Sequence, residues 1–311
     1  MAKKGLITIA FGKPKYLRQA VCLARSLRYH MPDWPVSLVT DQLVFDGSDM
    51  FDQIIPLNQK LGRGVTQKLG LYESSPYEET LFIDSDCICV RDFSAEFAQI
   101  RQRDFASVGG EYLKAGDREK TIKDLAKTLA ELGISRFLKF NGGVYFFRKS
   151  GLAEAVFGTA LSLLERYQDL GIRQFDGAGA NDETLFGLAM ELHQIELFRD
   201  KSRMMRTPWG VTSRIEIDPL GAGCHFLKNG RRVEPALIHF CGPHGSGPEY
   251  KFCQRVFQGP ELVSKTEYNR LLRSLRRYQT WVSLPRQKII ANKTLKASYF
   301  KLREVMLSGQ S

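Results

Sequence analysis

Two carboxylates stand two residues apart directly after an apolar run, where Thr80–Ile83 leads into Asp84-Ser85-Asp86. In an extended chain, the side chains at positions i and i+2 point to the same side. Two carboxylates placed in this way can hold a hard cation such as Mg²⁺ or Mn²⁺, which then takes up charge on a phosphate leaving group. A bare Asp-x-Asp is also a common pair of turn residues. Here apolar segments flank it on both sides, where unpaired acids are costly, so the position favours a metal site.

Two histidines near residue 240 are candidates for the same site. His239 ends a short apolar segment, and its imidazole is an acceptable third ligand for Mn²⁺ beside two carboxylates. A lone histidine on such a segment is otherwise usually a core residue. His244 lies in a glycine-rich loop, and either it reaches a phosphate or it is a surface histidine.

Three further groups could carry chemistry. Lys68 lies in a predicted helix before the Asp-x-Asp strand. Its ammonium could pair with a phosphate or with Asp84, or it could lie on a solvated face of the helix. Asn141-Gly142-Gly143 allows close approach of backbone to a ligand, or forms a plain turn. Asp182 and Glu183 can stabilise a cationic sugar carbon, as carboxylates do in glycoside chemistry, or they serve as the acidic first turn of a helix.

The first half of the chain alternates between strand and helix patterns, which predicts an α/β fold with a parallel sheet covered by helices. In such sheets ligands bind beyond the carboxyl ends of the strands. Three predicted strands end in polar or special groups, namely Phe11-Gly12, Thr40-Asp41 and Asp84-Ser85-Asp86. The predicted elements are strand 5–11, helix 13–28, strand 36–39, strand 53–57, helix 65–73 and strand 80–83.

The second half is less regular. A helix is expected to begin after Asn181 as N-cap, and a loop is expected over 205–235 because glycine, proline and arginine recur there. The other predicted elements are strand 105–108, helix 118–132, strand 144–147, helix 152–167 and strand 236–240.

The charge of the chain is concentrated at its end. Of the net +11, residues 261–311 carry +8, so the first 260 residues are nearly neutral, which argues against a nucleic-acid partner. We divide the chain into a domain over 1–260 and a basic helical extension over 261–311. Tyr268–Val282 has the spacing of an amphipathic helix, which either lies on an anionic membrane surface or packs on the domain. For Pro285–Leu307 the membrane is the favoured partner.

The 311 residues contain neither a signal-peptide pattern nor an apolar stretch of about 20 residues that could span a bilayer. The six cysteines form no CxxC pair, so we interpret them as small core residues in a reducing compartment. The expected location is therefore the cytoplasm, with the basic tail at the inner face of a membrane.

Taken in order, five short segments resemble the GT-A fold glycosyltransferases, a Rossmann-like class, and most of all glycosyltransferase family eight, the galactosyltransferase and glycogenin-like group. They span about residues 5–245. The segments are Ile7-Thr-Ile-Ala-Phe11, Leu81-Phe-Ile-Asp84-Ser-Asp86, Asn141-Gly-Gly-Val-Tyr-Phe-Phe147, Asp182-Glu-Thr-Leu185 and Ile238-His-Phe-Cys-Gly242-Pro243.

The resemblance implies a UDP-sugar donor, transfer with retention, and a manganese or magnesium ion held by Asp84, Asp86 and His239. It implies that Ala10, Phe11 and Asp41 hold uracil and ribose. The acceptor is left open among a saccharide, a lipid-linked sugar and a protein. We expect Asn141, Asp182 and Glu183 beside the transferred sugar as catalytic residues, and the donor-binding residues to be Ala10, Phe11, Asp41, Lys68, Asp84, Ser85, Gly142, Gly242, His244 and Lys251.

Two departures from the family pattern bear on function. The family often has Lys-Pro-Trp after its His-x-x-Gly, with the lysine on the diphosphate; here His244 or Lys251 must substitute, or the contact is missing. The family's Asp-Gln pair is Asp182-Glu183, which leaves the donor sugar open. Three alternatives stay open. The first is a sugar-phosphate nucleotidyltransferase, although that class needs an Arg-containing glycine-rich loop after the first strand. The others are a non-enzymatic RNA-binding protein and an inactive relative that binds a sugar nucleotide.

Overall fold

A six-stranded sheet forms the centre of the fold in the computed structural model, which describes residues 2–175, 179–221, 223–259 and 261–282. The strands of this sheet are Ala2–Ile9 (β1), Val36–Thr40 (β2), Gln53–Pro56 (β3), Tyr77–Ile83 (β4), Phe105–Ser107 (β6) and Val144–Arg148 (β9). Their order in the sheet is β3-β2-β1-β4-β9-β6, and only β9 runs against the other five strands. The predicted mostly parallel α/β sheet is therefore confirmed.

Helices cover both faces of this sheet. The first and third helices pack on one face and the fifth and sixth on the other. Residues 65–73, predicted as one helix, form a 3₁₀ helix over Val65–Gly70 followed by a single α-helical turn. The helices are Pro14–His30 (α1), Leu71–Ser74 (α2), Ser94–Ile100 (α3), Leu125–Leu132 (α4), Gly151–Glu165 (α5), Asp182–Leu192 (α6), Pro248–Val256 (α7) and Lys265–Val282 (α8).

Side-chain alternation explains why the central strands are apolar throughout. In β9, Tyr145 and Phe147 point towards α5 and α6, while Val144 and Phe146 point towards α1 and α3. Successive residues of a strand face opposite sides of the sheet, so a strand covered on both sides needs apolar residues at every position.

Two smaller sheets extend the central one. Cys87–Cys89 (β5) pairs antiparallel with Leu237–His239 (β14), which in turn pairs with Met205–Arg206 (β10). The second consists of Glu216–Asp218 (β11), Gly223–Lys228 (β12) and Arg231–Val233 (β13). A separate two-stranded antiparallel sheet pairs Glu111–Lys114 (β7) with Arg136–Lys139 (β8).

The loop predicted for residues 205–235 is wrong, because this segment contains β10 to β13. Its strands are only two to six residues long, so the glycine, proline and arginine residues between them dominate the composition. Asn229 and Gly230 link β12 to β13 with φ angles of 49° and 75°. Two consecutive positive φ angles are typical of a tight hairpin turn, for which Asn-Gly is the strongest short-range sequence signal.

The helix predicted for residues 118–132 begins only at Leu125. Asp124 caps it by accepting a hydrogen bond from the Lys127 backbone N–H at 3.0 Å. Before the cap, the Glu119 carboxylate accepts from the Thr121 backbone and pairs with Lys139 at 2.9 Å. These side-chain bonds compete with helix formation, so residues 118–124 stay irregular.

Helix α8 confirms the predicted helical part of the basic extension. Its Leu271 and Leu275 are buried in a cluster that also contains residues of β12, β14 and α7. Each buried leucine contributes about 2 kcal/mol from removal of apolar surface from water. The division of the chain at residue 260 stays a prediction, and Pro285–Leu307 lies outside the described residues.

Among the described helices, none is both long enough and apolar enough to cross a bilayer.

Candidate active site

Strand register brings three of the predicted motifs to one point. Asp84 follows β4, and the Asn141-Gly142-Gly143 segment precedes β9, which runs antiparallel beside β4 with Val144 opposite Ile83. The Asp84 backbone N–H accordingly donates to the Gly143 carbonyl at 2.8 Å. His239 enters from the smaller sheet, where it is paired with Cys87.

Asp84, Asp86 and His239 form a cluster of three ligand-type side chains. His239 Nε2 lies 3.0 Å from Asp86 Oδ1 and 3.6 Å from Asp84 Oδ2. The imidazole is almost fully buried, whereas the two carboxylates retain about a quarter of their exposure, at 22% and 25%. The cluster therefore opens to solvent on its carboxylate side.

Electrostatic coupling shifts the pKa values within this cluster. Burial opposes the charged imidazole, but the carboxylates of Asp86 and Asp84 raise the pKa of His239. Burial likewise opposes the charge of Asp86, yet the imidazole outweighs it and lowers the pKa of that carboxyl. For Asp84 burial dominates, and its pKa is raised. The imidazole and the Asp86 carboxylate thus favour each other's charged forms.

Cys87 lies close enough to Asp86 and His239 to be counted with them as a ligand-type group. Its thiol is fully buried, and its Sγ is 3.8 Å from the Gly143 carbonyl. Burial, then the neighbouring carboxylates, raise the pKa of the thiol well above its usual value. Because metals bind the thiolate, Asp84 is the better third partner than Cys87.

Lys68 confirms one of its two predicted pairings, since its Nζ lies 3.0 Å from the Asp84 carboxylate. The same ammonium is 3.2 Å from Asp182 Oδ2 and 3.3 Å from the Gly142 carbonyl. Although burial opposes a charged lysine, the carboxylates of Asp182 and Asp84 raise the pKa of Lys68 well above its ordinary value. Asp84 and the Gly142 carbonyl accept hydrogen bonds from the ammonium, and Asp182 is its ion-pair partner, so Lys68 is engaged by groups of the protein itself.

Asp182 and Glu183 open helix α6, where Asn181 is the N-cap and accepts from the Thr184 N–H at 3.0 Å. The Asp182 side chain is only 3% exposed. Glu183 Oε1 accepts from the Gly142 N–H at 2.7 Å. Burial, with the charge of Asp182 as the second cause, raises the pKa of Glu183 to about 7.

Gly142 and Gly143 have no room for a side chain. A β-carbon at Gly142 would lie 2.9 Å from Glu183 Cγ, and one at Gly143 would collide with the His239 imidazole. Asn141, beside them, contacts His239 Nδ1 with its Oδ1 at 2.7 Å. The side chains of Glu183 and His239 therefore require glycine at these two positions.

A pocket of about 430 Å³ lies at the carboxyl edge of the central sheet. Predicted residues Ala10, Phe11, Lys68, Asp84, Ser85 and Asp86 all line it. Asp41 stands at its rim, where its carboxylate accepts from the Gly12 N–H at 3.3 Å and pairs with Arg63 at 2.5 Å. The pocket therefore lies between the end of β1 and the Asp-x-Asp segment that follows β4.

Several predicted site residues are not among the described residues that line this pocket: Asn141, Gly142, Asp182, Glu183, His239, Gly242, His244 and Lys251. Gly242 and His244 lie beside Trp209, with the rings of Trp209 and His244 5.1 Å apart, edge to face. Their loop approaches the pocket wall at Gly245, where a β-carbon would be 3.3 Å from Gln19 Nε2. Lys251 is in the first turn of α7. A diphosphate contact from His244 or Lys251 stays a prediction.

Sequence reasoning missed Lys13, Arg63 and Phe175, which also line the pocket. Arg63 is 69% exposed and stands between two glycines. The Gly62-Arg63-Gly64 triplet was the available signal. It has little weight by itself, because the contact with Asp41 depends on a residue 22 positions earlier.

Comparisons with known proteins leave the family open. No family model matches the chain, and no curated protein matches it. Among solved structures it is similar to the galactosyltransferase LgtC in complex with donor and acceptor sugar analogs, with 16% identity and a TM-score of 0.49 over 91% of this chain and 98% of that one.

Two other similar structures are also glycosyltransferases. GlyE of Streptococcus pneumoniae TIGR4 has 14% identity and a TM-score of 0.41 over 65% of this chain and 46% of its own. The bifunctional glycosyltransferase WbbM has 13% identity and a TM-score of 0.47 over 78% of this chain and 46% of its own. Membership of glycosyltransferase family eight stays a prediction.

Proposed function

We propose that this chain is a GT-A glycosyltransferase that moves a hexose from a UDP-sugar to an acceptor hydroxyl, with Mn²⁺ or Mg²⁺ as cofactor and with retention at the anomeric carbon. One observation carries the proposal. Asp84, Asp86 and His239, from distant parts of the chain, converge beside a pocket at the carboxyl edge of the sheet. This edge is where open α/β sheets bind their ligands.

The three side chains fit a hard divalent ion. The imidazole nitrogen lies 3.0 and 3.6 Å from the two carboxylates, so Asp84, Asp86 and His239 would be able to hold one ion between them. The two carboxylates suit manganese and magnesium, and the imidazole is an acceptable ligand for manganese. Bound there, the ion supplies positive charge to the diphosphate leaving group.

The local charge balance also supports a cation site. Four carboxylates, those of Asp84, Asp86, Asp182 and Glu183, interact electrostatically with the buried ammonium of Lys68, and the protonated form of His239 is the second cation of the cluster. Several like charges in a poorly solvated cluster are unfavourable unless cations or protons offset them. A divalent ion at the exposed side of the cluster offsets two of these charges.

The remaining groups of the pocket suit a nucleoside diphosphate. Phe11 is an apolar surface at the end of β1, Asp41 offers a carboxylate at the rim, and Lys13 and Arg63 are exposed cations at the mouth. We infer that uracil and ribose lie towards Phe11 and Asp41, with the diphosphate directed towards Asp84. This order places the transferred sugar near the start of α6.

At that position we assign Asp182 to stabilisation of the positive charge that develops on the sugar carbon. Its carboxylate is buried, and its Oδ2 lies 3.2 Å from the ammonium nitrogen of Lys68. Such a group contributes most when the carbon becomes cationic, so it favours the transition state over the bound donor. Glu183 lies beside it and contacts the Gly142 backbone.

The test is UDP release from a panel of UDP-hexoses, each with Mn²⁺, with Mg²⁺ and with EDTA. Metal-dependent release from one UDP-hexose, raised by a suitable saccharide or lipid-linked acceptor, is the expected result. NMR of the product then reports whether the anomeric configuration is retained. Pyrophosphate release from UTP and a sugar phosphate would instead indicate a nucleotidyltransferase. A thermal shift with RNA, without one from UDP plus Mn²⁺, would contradict both enzymatic functions.

We also propose that the protein is cytoplasmic and that its C-terminal extension binds the anionic inner face of a membrane. Since Leu271 and Leu275 are buried against the domain, the described helix can offer only its outer face. That face carries Arg270, Arg273 and Arg276, all exposed. Its contribution is therefore electrostatic and sensitive to salt.

A further inference from the structure

We propose that Asn141 is a positioning residue that fixes the tautomer and orientation of His239, so that the imidazole Nε2 presents its lone pair to the metal site. The inference rests on the proposed function for the metal, but the hydrogen-bond pattern behind it is independent of any ligand. Asn141 Oδ1 is 3.1 Å from the Gly143 backbone nitrogen and 2.7 Å from His239 Nδ1.

The backbone contact identifies which end of the Asn141 amide faces the histidine. A backbone N–H can only donate, so the Asn141 atom that it meets must be the oxygen rather than the NH₂ group. The orientation of an asparagine amide is otherwise ambiguous, and a network of this kind settles it. The same oxygen therefore faces His239, and Nδ1 must carry the hydrogen.

A hydrogen on Nδ1 leaves Nε2 as the unprotonated nitrogen of the neutral ring. Nε2 is the atom that faces Asp86 at 3.0 Å and Asp84 at 3.6 Å. A histidine that ligates a metal through one nitrogen commonly donates its other N–H to an oxygen, and this second bond sets the ring orientation. Asn141 supplies that oxygen here.

Gly143 restricts the imidazole from a second direction. A β-carbon at this position would collide with His239 Nδ1, Cε1 and Cγ, so the ring lies directly against the glycine backbone. The Asn141 oxygen thus contacts the edge of the ring, and the Gly143 backbone packs against its face. Because His239 is only 6% exposed, water has little access to replace either contact.

This role differs from contact with the transferred sugar. Both lone pairs of Asn141 Oδ1 are occupied, by Gly143 and by His239. We therefore expect the Asn141 oxygen to act through metal affinity, which leaves any direct contact with the donor to the Asn141 NH₂ group.

The test measures the tautomer of His239 by NMR in metal-free, ¹⁵N-labelled protein at a pH where the ring is neutral. Long-range ¹H–¹⁵N spectra show which ring nitrogen is protonated, and the chain has five histidines, so His239→Gln assigns the signals by their loss. We expect protonated Nδ1 and unprotonated Nε2 in the natural protein. A neutral ring protonated at Nε2 would overturn the proposal, whatever the variants do.

Two substitutions separate the acceptor oxygen from the rest of the side chain. Asn141→Leu keeps the size but removes the oxygen, and we expect a mixture of tautomers and Mn²⁺ affinity lower by about 10- to 100-fold in calorimetry or EPR. Asn141→Asp keeps an acceptor oxygen, so it should keep the Nδ1–H tautomer even if Asn141→Leu fails to fold. Loss of that tautomer in Asn141→Asp contradicts the proposal.

Asp92→Leu is the matched control for the loss of a local turn. Asp92 accepts from the Ser94 backbone N–H at 2.7 Å, in the same i to i+2 arrangement, and has no contact with His239 among the described hydrogen bonds. It should leave both the tautomer and Mn²⁺ affinity unchanged. If the natural protein shows the Nδ1–H tautomer but binds neither Mn²⁺ nor UDP, the proposed function fails while the orientation of His239 by Asn141 stands.

Discussion

Replacing Glu183 with glutamine removes one buried charge while it keeps the oxygen that accepts from the Gly142 N–H. Burial, then the charges of Asp182 and Asp84, raise the pKa of Glu183 from 4.5 to about 7. The folded protein therefore holds this proton more tightly than the unfolded chain does. We predict that the substitution changes how stability depends on pH.

The sign follows from proton linkage. Between pH 4.5 and pH 7 the folded state binds more protons at Glu183 than the unfolded state, so stability falls as pH rises through this window. Each pKa unit corresponds to about 1.4 kcal/mol, which sets an upper limit of about 3 kcal/mol for the loss above pH 7. Glutamine carries no such loss, so Glu183→Gln should exceed the natural protein in stability at pH 8 and match it near pH 4.5.

Urea unfolding of metal-free protein at a series of pH values from 4.5 to 8 measures this difference. Glu165→Gln is the control, because it removes the same charge from an exposed position at the end of α5. The control should parallel the natural protein at every pH. Parallel curves for Glu183→Gln and the natural protein would refute the reasoning, since they would mean that Glu183 titrates alike in both states.

Three further predictions concern the metal, the sugar and the tail. Asp86→Asn should abolish Mn²⁺-dependent UDP binding in calorimetry, while the circular dichroism spectrum stays unchanged. Undiminished affinity for UDP in the presence of Mn²⁺ would show that Asp86 is not a metal ligand. Asp182→Asn should lower turnover by about 100-fold or more with little change in donor affinity. Normal turnover with a loss of about 1 kcal/mol in the free energy of unfolding would mean that Asp182 only stabilises the start of helix α6. The full chain should co-sediment with anionic but not neutral liposomes in a salt-sensitive way. Truncation after Ser283 should lose most of this binding, since each lost base contributes roughly 1 kcal/mol and only the bases of α8 remain in the extension. Equal sedimentation of both would end the membrane proposal.

The amino-acid sequence by itself determined the local elements and the chemistry at their ends. Apolar runs of strand length and helical periodicity predict most elements of the first half, because neighbouring residues suffice to define which face is buried. The Asp84-x-Asp86 pair after β4 was recognisable for the same reason. Where elements were short, as in β10 to β13, the periodic signal was too brief to separate strand from loop.

Contacts between distant segments needed the tertiary structure. His239 reaches Asp86 only because β14 pairs with β5 in a register that sets it opposite Cys87. Lys68 had two open pairings in the sequence, and the fold brings Asp84 and Asp182 to the same ammonium. His244 and Lys251 looked equally suited to the pocket, yet neither is among its described lining residues.

The same distinction holds for charge and for the basic helix. The sequence shows that Glu183 can ionise, but its pKa depends on the burial and the carboxylates that surround it in three dimensions. The spacing of Leu271 and Leu275 predicts an apolar helix face without naming what covers it, and the domain covers it here. A sequence encodes which face of an element is apolar and which groups can carry charge. Register, packing and desolvation depend on segments far apart in the chain, so only the folded structure decides them.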